Sequence, residues 1–350
     1  MSTSVLIAGG GPAGLEAALA LHRLAGERVR TTVLAPEAEF AYRPLSVLVP
    51  FAEAGPLTFP LERIAQDAEF THVRGRLAKV DPQAREVLTE TGEKLAYDAL
   101  LIALGARPVE PFPGAVVFTG SPADQERVHA LAEDVADGRV ASLAFVVPAG
   151  ATWPLPLYEL ALMLAGRAFE RGVEVELHFV TPEHEPLELL GGEVRGLLEL
   201  AGITLHTGTT WEPGMLDVER VLTLPLLEGP AIAGLPHDER GFLVVDDYCR
   251  AAPGVYGAGD ATDVEVKQGG IACQMADTAA AEIARQAGAP VERARFKPKL
   301  EGLLLTDHWA RHLRPGGGGA TLATRGLRWP PSKIAGRELA RYLKTLDPSY

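Results

Sequence analysis

The residues best suited to chemistry stand at the start of the chain, where Gly9-x-Gly11-x-x-Gly14 follows the apolar run Ser4 to Ala8. Leu15, Ala18, Leu19 and Leu21 to Leu24 come next, so the order reads strand, turn, helix. In that setting the first glycine permits a tight turn and the second lets a pyrophosphate approach the backbone. The third lets the helix press on the strand, while the helix N-terminus faces the anion. Pro12 and Ala13 belong to the same cradle. A second strand, Thr31 to Leu34, should be followed by an acid that accepts hydrogen bonds from an adenosine ribose. Ala35 holds the usual position and Glu37 is the nearest acid, so Glu37 is the ribose candidate, with a solvated loop charge as the competing reading. The ligand this pattern addresses is a dinucleotide with an adenosine diphosphate half.

Other reactive residues offer less. Cys249 and Cys273 have neither disulfide-framework nor zinc nor dithiol spacing. His178 alternates with apolar neighbours, and His184, His237, His308 and His312 lie among polar residues without ligand spacing, so no metal is expected. No serine sits in a nucleophile elbow.

The elements that position these groups need room, and 350 residues with 47% hydrophobic and 23% charged composition suffice for about two domains. A net charge of -13 disfavours nucleic acid as a partner. Met1 to Ser4 lacks a basic leader region, and the apolar stretch Leu155 to Ala165 is broken by Glu159 and too short to span a bilayer. A cytoplasmic location is expected, with peripheral membrane contact left open. Short strands at Val73 to Val80, Glu86 to Glu90 and Lys94 to Tyr97 form an antiparallel insert. A buried strand then ends at Gly105, and far downstream Val255 to Ala258 is another that ends in Gly259-Asp260.

These three motifs in this order resemble the FAD-dependent pyridine nucleotide-disulfide oxidoreductase-like flavoproteins, which carry two dinucleotide-binding domains. Leu104 stands where that family usually has threonine. The resemblance implies that Gly259 admits the FAD pyrophosphate and that Asp260 binds the ribityl hydroxyls. Tyr42-Arg43-Pro44-Leu45 and Lys267-Gln268-Gly269-Gly270-Ile271-Ala272-Cys273-Gln274 look like the branch holding sulfide:quinone oxidoreductases and type II NADH dehydrogenases, a likeness running to Trp329-Pro330-Pro331. Arg43, Gly105, Gly269, Gly270 and Ile271 thereby join the cofactor-binding candidates, and Lys267, Gln268 and Cys273 are the catalytic candidates. The helix opened by Gly269 and Gly270 would aim its positive end at the flavin pyrimidine edge. Sulfide:quinone oxidoreductases have a redox cysteine in the loop that here runs from Pro148 to Pro156, and another in the C-terminal region; this chain has neither. Cys273 is a redox candidate by nearness to the flavin, although a lone cysteine on a packed helix is commonly a small core residue.

A second α/β unit lies between the FAD halves. Val116 to Thr119, Leu143 to Val147, Val173 to Val180 and Ile203 to Leu205 read as strands. Helices are read after Ser121, with Asp124 in its capping turn, over Leu157 to Arg171 and over Glu193 to Leu200. Thr181-Pro182-Glu183 echoes Ala35-Pro36-Glu37. Counting back from Glu159 as Gly9 is counted from Glu16 puts Thr152, Pro154 and Leu157 at the three glycine positions. Prolines lack the N–H donor and leucine obstructs close packing, so NAD(P)H should bind poorly or in an altered pose. A rearranged loop at Ala149-Gly150 is the alternative.

The fold expected is α/β, with two Rossmann-like dinucleotide-binding domains, the second inserted in the first. Residues 1–112 and 236–300 form the FAD domain, 113–235 the insert, and 301–350 a small C-terminal region. Gly316 to Gly319 read as a loop rather than a phosphate cradle. A basic amphipathic helix after Pro331 places Ala335, Leu339, Tyr342 and Leu346 on one face; Arg337, Arg341 and Lys344 lie on another, and Arg325, Arg328 and Lys333 complete the basic set. That helix is the candidate membrane contact. The expected activity moves electrons from a small donor through FAD to an acceptor, with a quinone as candidate. An NAD(P)H reductase and a flavin-bearing sensor or electron-transfer subunit are the alternatives.

Overall fold

The structure, a computed structural model, describes residues 2–51, 57–191, 194–306, 308–316, 321–323, 333 and 336–346. Along the chain, Thr3–Ala8 (β1) leads into Pro12–Ala25 (α1), then Val29–Leu34 (β2), Thr71–Val73 (β3) and Ala99–Ile102 (β4). Val116–Val117 (β5), Pro122–Ala136 (α2), Ser142–Val146 (β6), Leu155–Glu170 (α3), Glu176–Val180 (β7), Arg195–Leu200 (α4), Ile203–His206 (β8) and Arg220–Thr223 (β9) follow. Arg250–Ala252 (β10), Val255–Gly257 (β11) and Gly269–Gln286 (α5) come next, and Gly302–Leu305 (β12), Trp309–Leu313 (β13), Thr321–Ala323 (β14) and Leu339–Leu346 (α6) end the described chain.

Two largely parallel sheets organise these elements. The first has the order β10-β11-β4-β1-β2-β3 and the second β5-β9-β6-β7-β8, the alternating pattern of Rossmann-like α/β proteins. Val5, Ile7, Leu100, Leu101 and Ile102 are fully buried, as strands covered on both faces require. Helices α1 and α5 share one apolar core through Leu15, Leu21, Met275, Ala276 and Ile283. In the second sheet Ser121 caps α2, its Oγ accepting the Asp124 N–H at 3.3 Å.

Several expectations shift. Val73 to Val80 is not one strand: β3 stops at Val73, the Gly75 N–H donates to Ala35 O, and Leu77–Asp81 starts the antiparallel sheet. Apolar alternation runs across Arg74 and Gly75, whereas the hydrogen-bond partners change there. The strand Arg220–Thr223, absent from the sequence reading, is central, pairing with both β5 and β6. Of the glycine run 316–319, residues 317–319 lie outside the described residues, and strands β13 and β14 to either side of it pair antiparallel.

The C-terminal segment departs furthest from expectation. Its helix begins at Leu339, not after Pro331, and Arg325, Arg328 and Ala335 lie outside the described residues. Leu339 and Leu343 are fully buried in the α1/α5 core, while Arg337, Arg341 and Lys344 are exposed. The apolar face therefore packs on the first unit, and the basic face expected to meet lipid headgroups stays exposed. Lys333 is no surface charge either: its Nζ meets the Glu159 carboxylate at 2.6 Å, with the two side chains 7% and 0% exposed. The Lys333 N–H donates to the Tyr42 hydroxyl, and Glu159 also accepts the Leu305 N–H at 2.7 Å. Glu16, equally buried, accepts the Glu338 and Leu339 N–H groups at 2.8 Å each, at the start of α6.

Removing one partner of a buried pair leaves an uncompensated group. Glu159→Gln alone should therefore lower the unfolding free energy by about 3–5 kcal/mol, and Glu159→Gln with Lys333→Met by clearly less. Urea titration of the two variants checks this ordering.

Candidate functional site

The first strand, turn and helix close on each other too tightly for side chains. Gly9 has φ of +121°, and a Cβ there would fall 2.1 Å from Ala103 O; a Cβ on Gly14 would fall 1.9 Å from Gly9 O. Gly11, the N-cap of α1, has open space beside it, with nothing within 4 Å of its would-be Cβ. The first N–H groups of α1 have no intrahelical acceptor, so this opening is lined by free donors.

The Gly259-Asp260 turn packs beside that opening. Gly259 has φ of +75°, and a Cβ there would meet Ala272 Cβ at 3.0 Å and Ala13 Cβ at 3.4 Å. The starts of α1 and α5 thus converge on one turn. No described residue hydrogen-bonds the Asp260 carboxylate; burial pushes its pKa up, against the opposing charges of Lys267 and Arg43. Arg43 is exposed and has no ion pair among the described residues. Glu37, three residues beyond β2, is exposed and has no ion-pair partner among the described residues, while Arg74 and His72 bond the Pro36 and Ala35 carbonyls beside it. Gly105 follows β4 with φ of +74°, and Gly269, Gly270 and Ile271 form the first turn of α5. The Asp260 carboxylate fits the ribityl hydroxyls of FAD, the open glycine turn at the α1 N-terminus its pyrophosphate, and exposed Glu37 its adenosine ribose.

The three catalytic candidates occupy different settings. Gln268 caps α5, its Oε1 accepting the Ile271 N–H at 3.2 Å and its Nε2 donating to Glu301 O at 2.7 Å. Lys267 is buried, donates to Thr262 O and lies 3.7 Å over the Phe242 ring. Cys273 is fully buried at the α1/α5 interface beside Glu16, and burial raises its thiol well above the ordinary range, so the nucleophilic thiolate is disfavoured. Cys249 is buried too, its thiol pushed up to about 12. Among the described residues no three His, Cys, Asp or Glu side chains converge as metal ligands, and His178 instead bonds His206 and Glu176.

The corresponding turn of the second sheet is built differently. Glu16 and Glu159 are each the fifth residue of their helix, α1 and α3, which sets Thr152, Pro154 and Leu157 against the three glycines. Leu157 is fully buried in the core of this unit. The Ala151 and Leu157 N–H groups already donate to Pro148 O and Pro154 O. Trp153 and Leu155 pack on Gly302 of β12, where a Cβ would lie 3.5 Å from Leu155 and 3.6 Å from Trp153, so the C-terminal sheet covers the start of α3. At the end of β7, Glu183 accepts the Tyr158 hydroxyl at 2.6 Å and the Thr181 hydroxyl at 3.0 Å, and its pKa is raised by burial. The acid at the ribose position is thus engaged inside the protein.

Sequence reasoning missed the Glu159–Lys333 pair and the Tyr158–Glu183 bond. The register of Glu159 with Glu16 was the available signal for the first; nothing local marks Lys333, 174 positions away.

The sequence profile of the family described as pyridine nucleotide-disulphide oxidoreductase matches residues 3–212. An NADH dehydrogenase-like protein of Mycobacterium tuberculosis is 28% identical over 306 residues, covering 74% of this chain and 72% of its own. A sulfide-quinone reductase of Aquifex aeolicus is 25% identical over 189 residues, 52% of this chain and 44% of that protein. Among solved structures, the sulfide:quinone oxidoreductase of Aquifex aeolicus superposes with a TM-score of 0.80 at 18% identity, covering 99% of this chain and 89% of that one. NADH:rubredoxin oxidoreductase of Clostridium acetobutylicum gives 0.61 at 19% identity, over 89% and 81% of the two chains. With the profile spanning the glycine turn and most of the second sheet, the chain belongs to the pyridine nucleotide-disulphide oxidoreductase family and is an FAD-dependent oxidoreductase.

Proposed function

We propose that this enzyme takes electrons from a small donor other than NAD(P)H and delivers them, through FAD, to a diffusible acceptor of the quinone class. The observation that carries the first half is the Tyr158–Glu183 hydrogen bond, which engages the ribose acid beneath a turn rich in proline. The likeness to a sulfide-quinone reductase supports the second half. FAD, when bound, supplies the redox chemistry. The chain's own residues hold and orient it: the N–H groups at Gly11 and the start of α1 take the pyrophosphate, Glu37 the adenosine ribose, and Asp260 the ribityl hydroxyls. The N-terminus of α5 at Gly269, Gly270 and Ile271 places its positive end where reduction adds negative charge. Arg43 adds a cation on the same side as Asp260.

Burial pushes Glu159 up and Lys333 down, each shift opposed by the charge of the other, and the pair joins the second unit to the C-terminal segment next to Tyr42. Cys273, kept as a thiol, has no part in electron transfer on this reading, and a sulfur donor would have to react without a protein disulfide. Any attraction to an anionic membrane rests on the exposed Arg337, Arg341 and Lys344, since the apolar side of α6 is buried.

The family's second cofactor gives the test. Each lost charge-assisted bond to phosphate forfeits about 1.5–3 kcal/mol, so two weaken NAD(P)H binding by about a hundredfold or more. Anaerobic stopped-flow mixing with NADH or NADPH should bleach the flavin slowly and without saturation at micromolar concentration. Saturable micromolar reduction, faster than with any other donor, would restore the NADH dehydrogenase reading suggested by the Mycobacterium relative and place the phosphates at Ala149 and Gly150, where the chain turns with φ of +91°.

A further inference from the structure

Lys267 is an unusual lysine. Its side chain is 7% exposed, its ammonium donates to Thr262 O, and the Phe242 ring covers it at 3.7 Å. Thr262 in turn closes the turn that carries Asp260: its N–H and its hydroxyl both donate to Gly259 O, at 3.0 and 2.8 Å. Lys267 therefore braces the backbone of the Gly259-Asp260 turn through Thr262 and forms no direct ion pair among the described residues.

The charges around it are of mixed sign. Asp260 and Asp263 face it from the turn after β11, and Asp238 and Arg240 from the loop that leads to Phe242. Asp238 is engaged in accepting the Arg240 and Phe242 N–H groups, and Asp263 the Val245 N–H. Arg240 lies 5.2 Å from the Phe242 ring centroid and donates to Leu227 O. Of these four, Asp260 alone has no hydrogen-bond partner among the described residues, and Lys267 and Arg43 are the cations that favour its ionised form.

We propose that Lys267 is a positioning residue for FAD, acting through the Gly259-Asp260 turn and through the charge of Asp260, and that its positive charge sets the alkaline limit of cofactor retention. The proposal rests on the reading of Asp260 as an FAD residue. A cation at this depth is not placed to meet substrate; it holds an acceptor carboxylate in the cleft and offsets the pyrophosphate charge.

The sign of the pH effect follows from linkage. Burial lowers the Lys267 pKa from its ordinary value to about 8 in the protein without FAD. The phosphates of bound FAD raise it again, so below pH 8 binding needs no proton, whereas above it binding takes one up. Affinity then falls with rising pH, by at most about tenfold per pH unit, until the pKa of the FAD complex is passed.

The test is the dissociation constant of FAD, measured by flavin fluorescence quenching on deflavinated protein between about pH 6.5 and 9.5, with folding followed by circular dichroism. Wild type should bind evenly up to about pH 8 and several-fold more weakly at the alkaline end. Lys267→Arg, which keeps its charge, should bind evenly throughout. Lys267→Met should bind about tenfold or more weakly at neutral pH and lack the alkaline loss. A flat wild-type profile, or the same alkaline loss in Lys267→Arg, would overturn the proposal, and the comparison of those two decides it even if Lys267→Met does not fold. Asp260→Ala separates the underlying reading: undiminished FAD binding in that variant removes Asp260 from the site, whereas weakened binding with unchanged Lys267→Met affinity removes Lys267 only.

Discussion

Two carboxylates that have no access to water hold this protein in one piece. Glu16 in α1 and Glu159 in α3 stand at the same helical position in their two units, and both face the C-terminal segment. A buried carboxylate is costly unless its lone pairs are met; here the end of the chain brings backbone N–H groups of Leu305, Glu338 and Leu339 and the Lys333 ammonium, and Cys273 and Asp277 of α5 also bond Glu16. The segment after β13 is thereby required by both units at once. The docking of α6, the cover of β12 over the start of α3 and the burial of Lys333 beside Tyr42 all follow from that requirement.

The same plan of strand, turn and helix is executed twice with opposite results. In the first unit the glycines bring helix and strand together while leaving an opening at Gly11; in the second, Pro154, Pro156 and Leu157 fill the corresponding space, and Trp153 and Leu155 turn toward β12. One turn fits a pyrophosphate and the other is packed against protein. The functional reading follows from this asymmetry: FAD belongs to the family as a whole, whereas the donor is argued from the side chains that replaced a phosphate site.

Much of this was legible in the sequence, for reasons of locality. The glycine turn, the strand ending at Gly105 and the Gly259-Asp260 turn are each fixed by neighbours a few residues away, as is the Ser121 cap. What was missed depends on distant partners. β9 belongs in the sheet because β5 and β6 flank it, not because its four residues are distinctive. Lys333 looks like one of six basic residues until Glu159 is placed beside it. The echo of Glu37 in Glu183 was visible, but Tyr158, which engages Glu183, comes from 25 positions earlier and points inward only because α3 packs on β7. Helix periodicity located the apolar face of α6 correctly and could not say whether the helix would pack on α1 or turn its basic face to a membrane.

The central claim is that only one of the two Rossmann-like units holds a dinucleotide. Equilibrium dialysis of the FAD-loaded protein against NADH, with bound nucleotides counted by chromatography after denaturation, tests it most directly. A single FAD per chain and no saturable NADH is the result expected, and a second stoichiometric site filled by NADH at micromolar concentration would contradict the account.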